Sequence, residues 1–112
     1  MASSDKTHLY GTLDVLILKT LSRKPRHGYG IARWLEQATD DRIQVDESSL
    51  YPALYRLEER GLLEAEWGRT ELDRRAKFYS LTEKGRKRLE RETRAWADFT
   101  EAVSAVLLDG GS

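Results

Sequence analysis

DESSLYPALYRLEERG, residues 46–61, is the stretch whose reading decides the fold. Leu50, Leu54 and Leu57 recur at i, i+4 and i+7, which lines them up on one stripe of an α-helix. Ala53 and Gly61 lie at the edge and the end of that stripe. Pro52 limits where the helix can begin, because a proline deeper inside removes a backbone hydrogen bond and collides with the carbonyl four residues back. An N-cap at Ser48 or Ser49 keeps Pro52 in the first turn. Gly61 supplies the left-handed residue that closes the helix. The back is leucine, and the front carries Ser48, Ser49, Tyr51, Tyr55 and Arg56. Such a front fits a DNA major groove; it also fits the outer face of an ordinary core helix.

Working upstream, His27-Gly28-Tyr29-Gly30 opens a helix whose buried face is Ile31, Trp34, Leu35 and Ala38. Thr39 to Arg42 reads as a polar turn, and Ile43-Gln44-Val45 as a stub of edge strand. Two helices with a short connection match a helix-turn-helix. Further upstream, Leu9, Leu13, Leu16, Ile17, Thr20 and Leu21 form a wide stripe, with Val15 and Leu18 adding apolar surface on other sides. A helix apolar nearly all round needs more than one neighbour to cover it. Pro25 is expected to end it.

Downstream of Gly61 the period changes to two. Leu63, Ala65 and Trp67 share one face, Glu64 and Glu66 the other. Residues 76–81 (AKFYSL) make a second strand-like run. Between them, GRTELDRR at 68–75 is long for a hairpin loop. Arg69, Arg74, Arg75 and Lys77 are expected to decorate a protruding wing. Thr82 reads as the N-cap of a last helix, with Glu83 in its first turn, running to about Leu108. Leu89, Trp96 and Val103 repeat every seven residues, and Glu92, Phe99 and Val106 repeat at an offset of three. That a/d seam is too short to stand alone and needs a partner. The free side of the first helix, through Leu13 and Leu18, is a candidate, in the same or a second subunit.

The predicted fold is mainly α with a β-hairpin. A winged helix-turn-helix domain spans 9–81 and a C-terminal dimerisation helix 82–108, with tails at 1–8 and 109–112.

The chain has 112 residues, enough for one compact domain plus one extra element. Acids and bases balance at 19 each, so bulk charge argues neither for nor against nucleic acid. Their distribution says more. Lys19, Arg23, Lys24, Arg26 and Arg33 are interrupted by no acid, whereas residues 36–66 carry nine acids against Arg42, Arg56 and Arg60. Residues 67–94 turn positive again, which predicts separate basic and acidic surface zones.

There is no cysteine, hence no disulfide, thiol nucleophile or cysteine metal site. The aliphatic runs are too short to span a membrane and the N-terminus lacks a signal peptide's apolar stretch, so a cytoplasmic protein is expected. His8 and His27 are distant, and no phosphate loop, nucleophile elbow or zinc motif appears. An enzyme and a cofactor are therefore not expected.

The quoted residues now carry a resemblance. LYPALYRLEERGLL (50–63) resembles the LYP-A-L-x-R-LE-x-x-G-L/I-I signature of the PadR family of transcriptional regulators. GTLDVLILKTL (11–21) is similar to that family's first helix, HGYGIA (27–32) to its second-helix opening, and RRAKFYSLTEKGRKRL (74–89) to its wing strand and LT-x-x-G-x-x-x-L segment. The likeness runs from about Leu9 to Leu108, in the family's order and spacing. It implies a bacterial or archaeal winged-helix repressor, a homodimer through its C-terminal helices, acting on a double-stranded DNA operator. Chain length resembles the subgroup with one C-terminal helix. Two departures stand out: Glu71 and Asp73 put acids in the wing, and Asp46 and Glu47 precede the reading helix. Carboxylates there repel phosphate, although a glutamate can accept a hydrogen bond from cytosine.

In this architecture the N-terminal part of the reading helix faces base edges, which nominates Ser48, Ser49, Tyr51 and Tyr55. The plainer roles are capping for the serines and bracing of the wing or Trp67 for the tyrosines. Arg56 is expected either to clamp a phosphate or to pair with Glu59. Arg69, Arg74, Arg75 and Lys77 would hold the DNA backbone or enter the minor groove, unless they simply solvate a hairpin tip. His27, Tyr29 and Arg33 open the helix that crosses the backbone, and His27 is as readily a cap. Leu13, Leu18, Leu89, Trp96, Phe99, Val103 and Val106 form the expected dimer interface. Some PadR relatives bind flat aromatic ligands at or near that interface. Trp96 and Phe99 are where a small planar aromatic effector would stack here, the plainer reading being a packing anchor with Leu89. Gly85, costly in a helix by about 1 kcal/mol relative to alanine, is expected to permit close packing or a close approach to DNA. The alternative function is a winged-helix module that binds protein rather than DNA.

Overall fold

The computed structural model describes residues 12–109. Helix α1 covers residues 12–20 of it, followed by strand β1 (Arg26–His27), α2 (Gly28–Ala38), α3 (Glu47–Glu59), β2 (Leu63–Arg69), β3 (Arg75–Leu81) and α4 (Glu83–Ser104). A π-helical turn, Ala105–Asp109, ends the described chain. The strands form one antiparallel sheet in the order β1-β3-β2. Helices α1 to α3 and the base of the hairpin enclose a core of Leu13, Ile17, Leu18, Leu21, Ile31, Leu35, Leu50, Leu54 and Leu57, closed by Leu62, Leu63, Tyr79 and Leu89. The expected winged helix-turn-helix with its long last helix is what the structure shows.

Gly61 closes α3 as expected, at φ +75°. The Gly61 N–H donates to the Glu58 carbonyl and the Leu62 N–H to the Leu57 carbonyl, both at 3.0 Å, so the last carbonyls are satisfied and the chain turns directly into β2. The start of α3 differs from expectation. Asp46 is the N-cap residue, through its backbone and with no side-chain cap bond, so Pro52 lies inside the helix rather than in its first turn. The Asp46 carbonyl accepts from the Ser49 and Leu50 N–H groups, and this bonding starts the helix before either serine can cap it. Thr82, by contrast, caps α4 as expected: its Oγ1 accepts from the Gly85 N–H at 3.0 Å and donates to the Gly61 carbonyl at 2.8 Å. Gly85 lies so close to Leu62 that a Cβ would overlap the Leu62 carbonyl oxygen, and packing is therefore its role.

Other expectations are corrected. Helix α1 stops at residue 20, well before Pro25, because the Thr20 and Ser22 hydroxyls take the Ile17 and Lys19 carbonyls and the Arg26 guanidinium takes that of Thr20. Ile43 to Val45 forms no strand; Thr39 Oγ1 accepts the Ile43 N–H and holds a turn there, with Asp40 and Asp41 in left-handed conformations. The third strand is instead Arg26–His27, paired with Tyr79 and Phe78. Ala38 is exposed and Trp34 only half-buried. The hairpin loop is shorter than 68–75, since β2 runs to Arg69 and β3 starts at Arg75. Thr70 staples the tip, its Oγ1 accepting from the Leu72 and Arg74 N–H groups. Leu9 and the tails 1–8 and 110–112 lie outside the described residues.

Leu18, 1% exposed, and Leu89, 8% exposed, are already inside the core of a single chain, as is Leu13. They have little surface left to give a second subunit, since they pack inside this chain's own core. The reason is geometric: α4 begins against the Leu62 carbonyl, so its first two turns pack on the winged domain. The helix then leaves the domain. Trp96 and Phe99 are 54% and 51% exposed, Val103 is half-buried, and Val106, Leu107 and Leu108 are exposed.

Candidate nucleic-acid interface

The outward face of α3 consists of Glu47, Ser48, Tyr51, Pro52, Tyr55 and Glu59. Its inward stripe of Leu50, Ala53, Leu54 and Leu57 is buried, so the core fixes which side chains look out. Tyr55 is 65% exposed and Tyr51 44%. Tyr51 lies against Gly28 at the start of α2, where a Cβ would come within 2.6 Å of its hydroxyl oxygen. This close approach locks the two helices at the outer end of the helix-turn-helix. The Ser48 hydroxyl donates to the Asp46 carboxylate at 3.4 Å, and Ser49 is half-buried. Pro52 donates no N–H, so the Ser48 carbonyl in the preceding turn lacks its helical partner.

Arg56 does not join this face. Its Nη2 donates to the Asp14 carboxylate of α1 at 2.8 Å, rather than pairing with Glu59. Burial pushes the Asp14 carboxyl above the usual 3.8, against the pull of the Arg56 guanidinium. The pair ties the reading helix to α1. This partner, 42 positions away, leaves no local trace in the sequence.

On the hairpin, side chains of residues directly opposite share a face. Trp67 pairs with Lys77, and Arg69 with Arg75. Lys77 Nζ donates to Glu58 Oε1 of α3 at 3.1 Å, which seats the hairpin against the reading helix. That bond raises the Lys77 ammonium above its ordinary value, opposed by partial desolvation. Arg69 is held by Asp73 within the loop at 3.3 Å. The Arg75 guanidinium lies 4.4 Å from the Trp67 ring centroid. Arg74 is exposed and makes no ion pair among the described residues. Trp67 is 58% exposed, so it packs only within the hairpin.

At the opening of α2, His27 is the cap: its Nδ1 accepts from the Gly30 N–H at 3.1 Å, and its ring meets Phe78 edge-on at 5.2 Å. Tyr29 is exposed, and Arg33 reaches Glu36 at 3.8 Å. Tyr29, Arg33, Asp46, Glu47 and Tyr51 line a groove of about 370 Å³ between the two helix starts. The structure thus brings Tyr51 of α3 together with Tyr29 and Arg33 of α2 around one groove, sets Ser48 and Tyr55 on the same outward face of α3 as Tyr51, and fastens the hairpin to α3 through Lys77. Arg56 and His27 are occupied within the fold. Trp67 meets Arg75 through strand register and Glu58 meets Lys77 through tertiary packing, neither of which local periodicity reveals.

Among the described residues no group of His, Cys, Asp or Glu is arranged to hold a metal ion, and no helix is long and apolar enough to cross a membrane.

Comparison with known proteins places this geometry. Residues 17–91 match the model of the transcriptional regulator PadR-like family. A transcriptional regulator from Clostridium thermocellum superposes with a TM-score of 0.79 at 27% identity, covering 87% of this chain and 94% of that one. A PadR-like transcription factor from Bacteroides fragilis gives 0.77 at 30%, covering 93% and 98%. An uncharacterised protein of Lysinibacillus sphaericus is 31% identical over 97 residues, 87% of this chain and 89% of that protein.

Proposed function

This chain belongs to the PadR-like family of transcriptional regulators, whose members act through DNA, and from that premise we propose that it is a homodimeric repressor of a two-fold symmetric operator. The observation that carries the reading is the α3 surface: a hydroxyl-bearing face backed by buried leucines, with the cationic hairpin fastened beside it by Lys77 and Glu58. Ser48, Tyr51 and Tyr55 address base edges, with Ser49 at the margin. Arg74 and Arg75 grip flanking phosphates, and Tyr29 and Arg33 meet the backbone on the other side. Two-fold symmetry sets half-sites about one helical turn apart, ~34 Å.

The outer half of α4 supports the dimer. Trp96, Phe99 and Val106 are exposed apolar side chains at the seven- and three-residue spacing of a helix–helix seam, the kind of patch that marks an interaction surface. Trp96 and Phe99 rings stand 6.2 Å apart with their planes tilted by 44°, a packed aromatic pair on whose exposed surface a flat ligand would stack. An effector there lowers DNA affinity by favouring a dimer arrangement with altered spacing of the two reading helices, which requires tighter binding to that arrangement.

The test is in vitro selection from a random duplex pool, followed by titration of the selected duplex at several salt concentrations. A recovered symmetric site, bound more tightly than random duplex and with a steep salt slope, supports the reading. Equal affinity for random DNA, or none for any duplex, rejects it and favours a protein partner at the acidic Asp46–Glu47 tip.

A further inference from the structure

The four hairpin cations are held in chemically different ways. Arg69 and Lys77 each sit against a carboxylate, Asp73 and Glu58, which cancels much of their charge. Arg74 makes no ion pair among the described residues. Arg75 alone rests on an indole face, that of Trp67, with its guanidinium carbon 4.4 Å from the ring centroid. The register explains the approach: Trp67 is opposite Lys77, and Arg75 is the diagonal neighbour two residues before it on the same face. A π face attracts the cation without neutralising it and takes up none of its N–H groups in a conventional hydrogen bond to oxygen, which leaves the guanidinium able to donate elsewhere.

We propose that Trp67 is a positioning residue for DNA binding: it holds the Arg75 guanidinium, with its charge intact, where it donates to a backbone phosphate beside the α3 site. This rests on the DNA-binding reading above. It also accounts for a large, half-solvated indole on the exposed part of the hairpin, where packing alone gives it little to do. The chemistry selected is a phosphate oxygen on duplex DNA.

The experiment is a double-mutant cycle on the full chain, using the duplex selected with the wild-type protein. R75A is expected to reduce the slope of log K against log salt by about 0.9 for each phosphate that Arg75 neutralises. W67A keeps the charge but frees it, and weakens binding by about two- to fivefold per wing, the range of an exposed cation–π interaction. In the R75A background W67A has no further effect, and W67F, which retains a π face, recovers most of the affinity. Independent, multiplying effects of W67A and R75A would overturn the proposal, as would wild-type affinity for W67A or an unchanged salt slope for R75A. Absence of duplex binding by the wild-type chain would instead overturn the underlying reading, so the two failures are told apart.

Discussion

Replacing Gly85 by alanine tests the junction on which the fold turns. Gly85 sits in the first turn of α4, and a Cβ there would overlap the Leu62 carbonyl oxygen and come within 2.8 Å of Leu81 Cδ1. The carbonyl is backbone and cannot rotate away, so the base of α4 must move. Moving it stretches the Thr82–Gly85 cap, which contributes about 1 kcal/mol. Crowding a close-packed site costs a further ~1–3 kcal/mol. The opposing gain is alanine's better helix propensity, about 1 kcal/mol. The net expectation is a loss of about 1–3 kcal/mol, which in a domain of this size lowers the unfolding midpoint by roughly 5–20 °C. Far-UV circular dichroism at fixed protein concentration measures it. Gly61 is the contrasting position: the nearest atoms belong to the Lys84 side chain at 4.0 Å, so substitution there costs only the left-handed conformation. Asparagine tolerates that conformation, so G61N should retain more stability than G61A. G85N should be at least as damaging as G85A. An unfolding midpoint for G85A equal to or above wild type would refute the packing argument, because propensity would then outweigh steric overlap.

Three further outcomes are expected. Leu54→Ala empties a fully buried site behind the reading helix and should cost ~2–5 kcal/mol by urea unfolding, with DNA binding falling as the folded fraction falls. Asp14 gives a pH signature: burial raises its pKa above 3.8 in the folded chain, so its favourable contribution is complete below the unfolded value and is lost as pH rises through the folded one. The stability of wild type relative to D14N should therefore decline as pH rises from 3.8 upward, and a difference independent of pH would contradict this. Replacing Trp96 and Phe99 together by alanine should leave helical content nearly unchanged while sedimentation shifts from the proposed dimer to a monomer; a wild-type chain that already sediments as a monomer would contradict the proposed dimer.

The parts of the fold legible in the sequence were those with a local period or a single decisive residue. The leucine stripe of α3, Gly61, the alternation of β2, and Thr82 before α4 each act within a few positions. Strand β1 has only two residues, too few to show alternation, and exists because β3 offers it an edge. The true start of α3 depended on the Asp46 carbonyl rather than on a serine side chain. In the candidate site, the outward direction of Ser48, Tyr51 and Tyr55 follows from the inward direction of the leucines. The partners of Arg56, Lys77 and Arg75 were not legible, since Asp14, Glu58 and Trp67 meet them through tertiary packing and strand register. The residues expected at the dimer seam divided along the length of α4: Leu89 went to the core, while Trp96, Phe99 and Val106 stay on the surface.

The most direct measurement is the affinity of S48A/Y55A for the duplex selected with the wild-type chain. Both side chains point outward and lie outside the core, so stability should stay within about 0.5 kcal/mol of wild type. Losing recognition of one base pair in a specific site costs ~1–3 kcal/mol, so binding of that duplex should weaken about tenfold or more, while affinity for random duplex changes little. Wild-type affinity and wild-type base preference in this folded variant would contradict the claim that the outward face of α3 reads DNA.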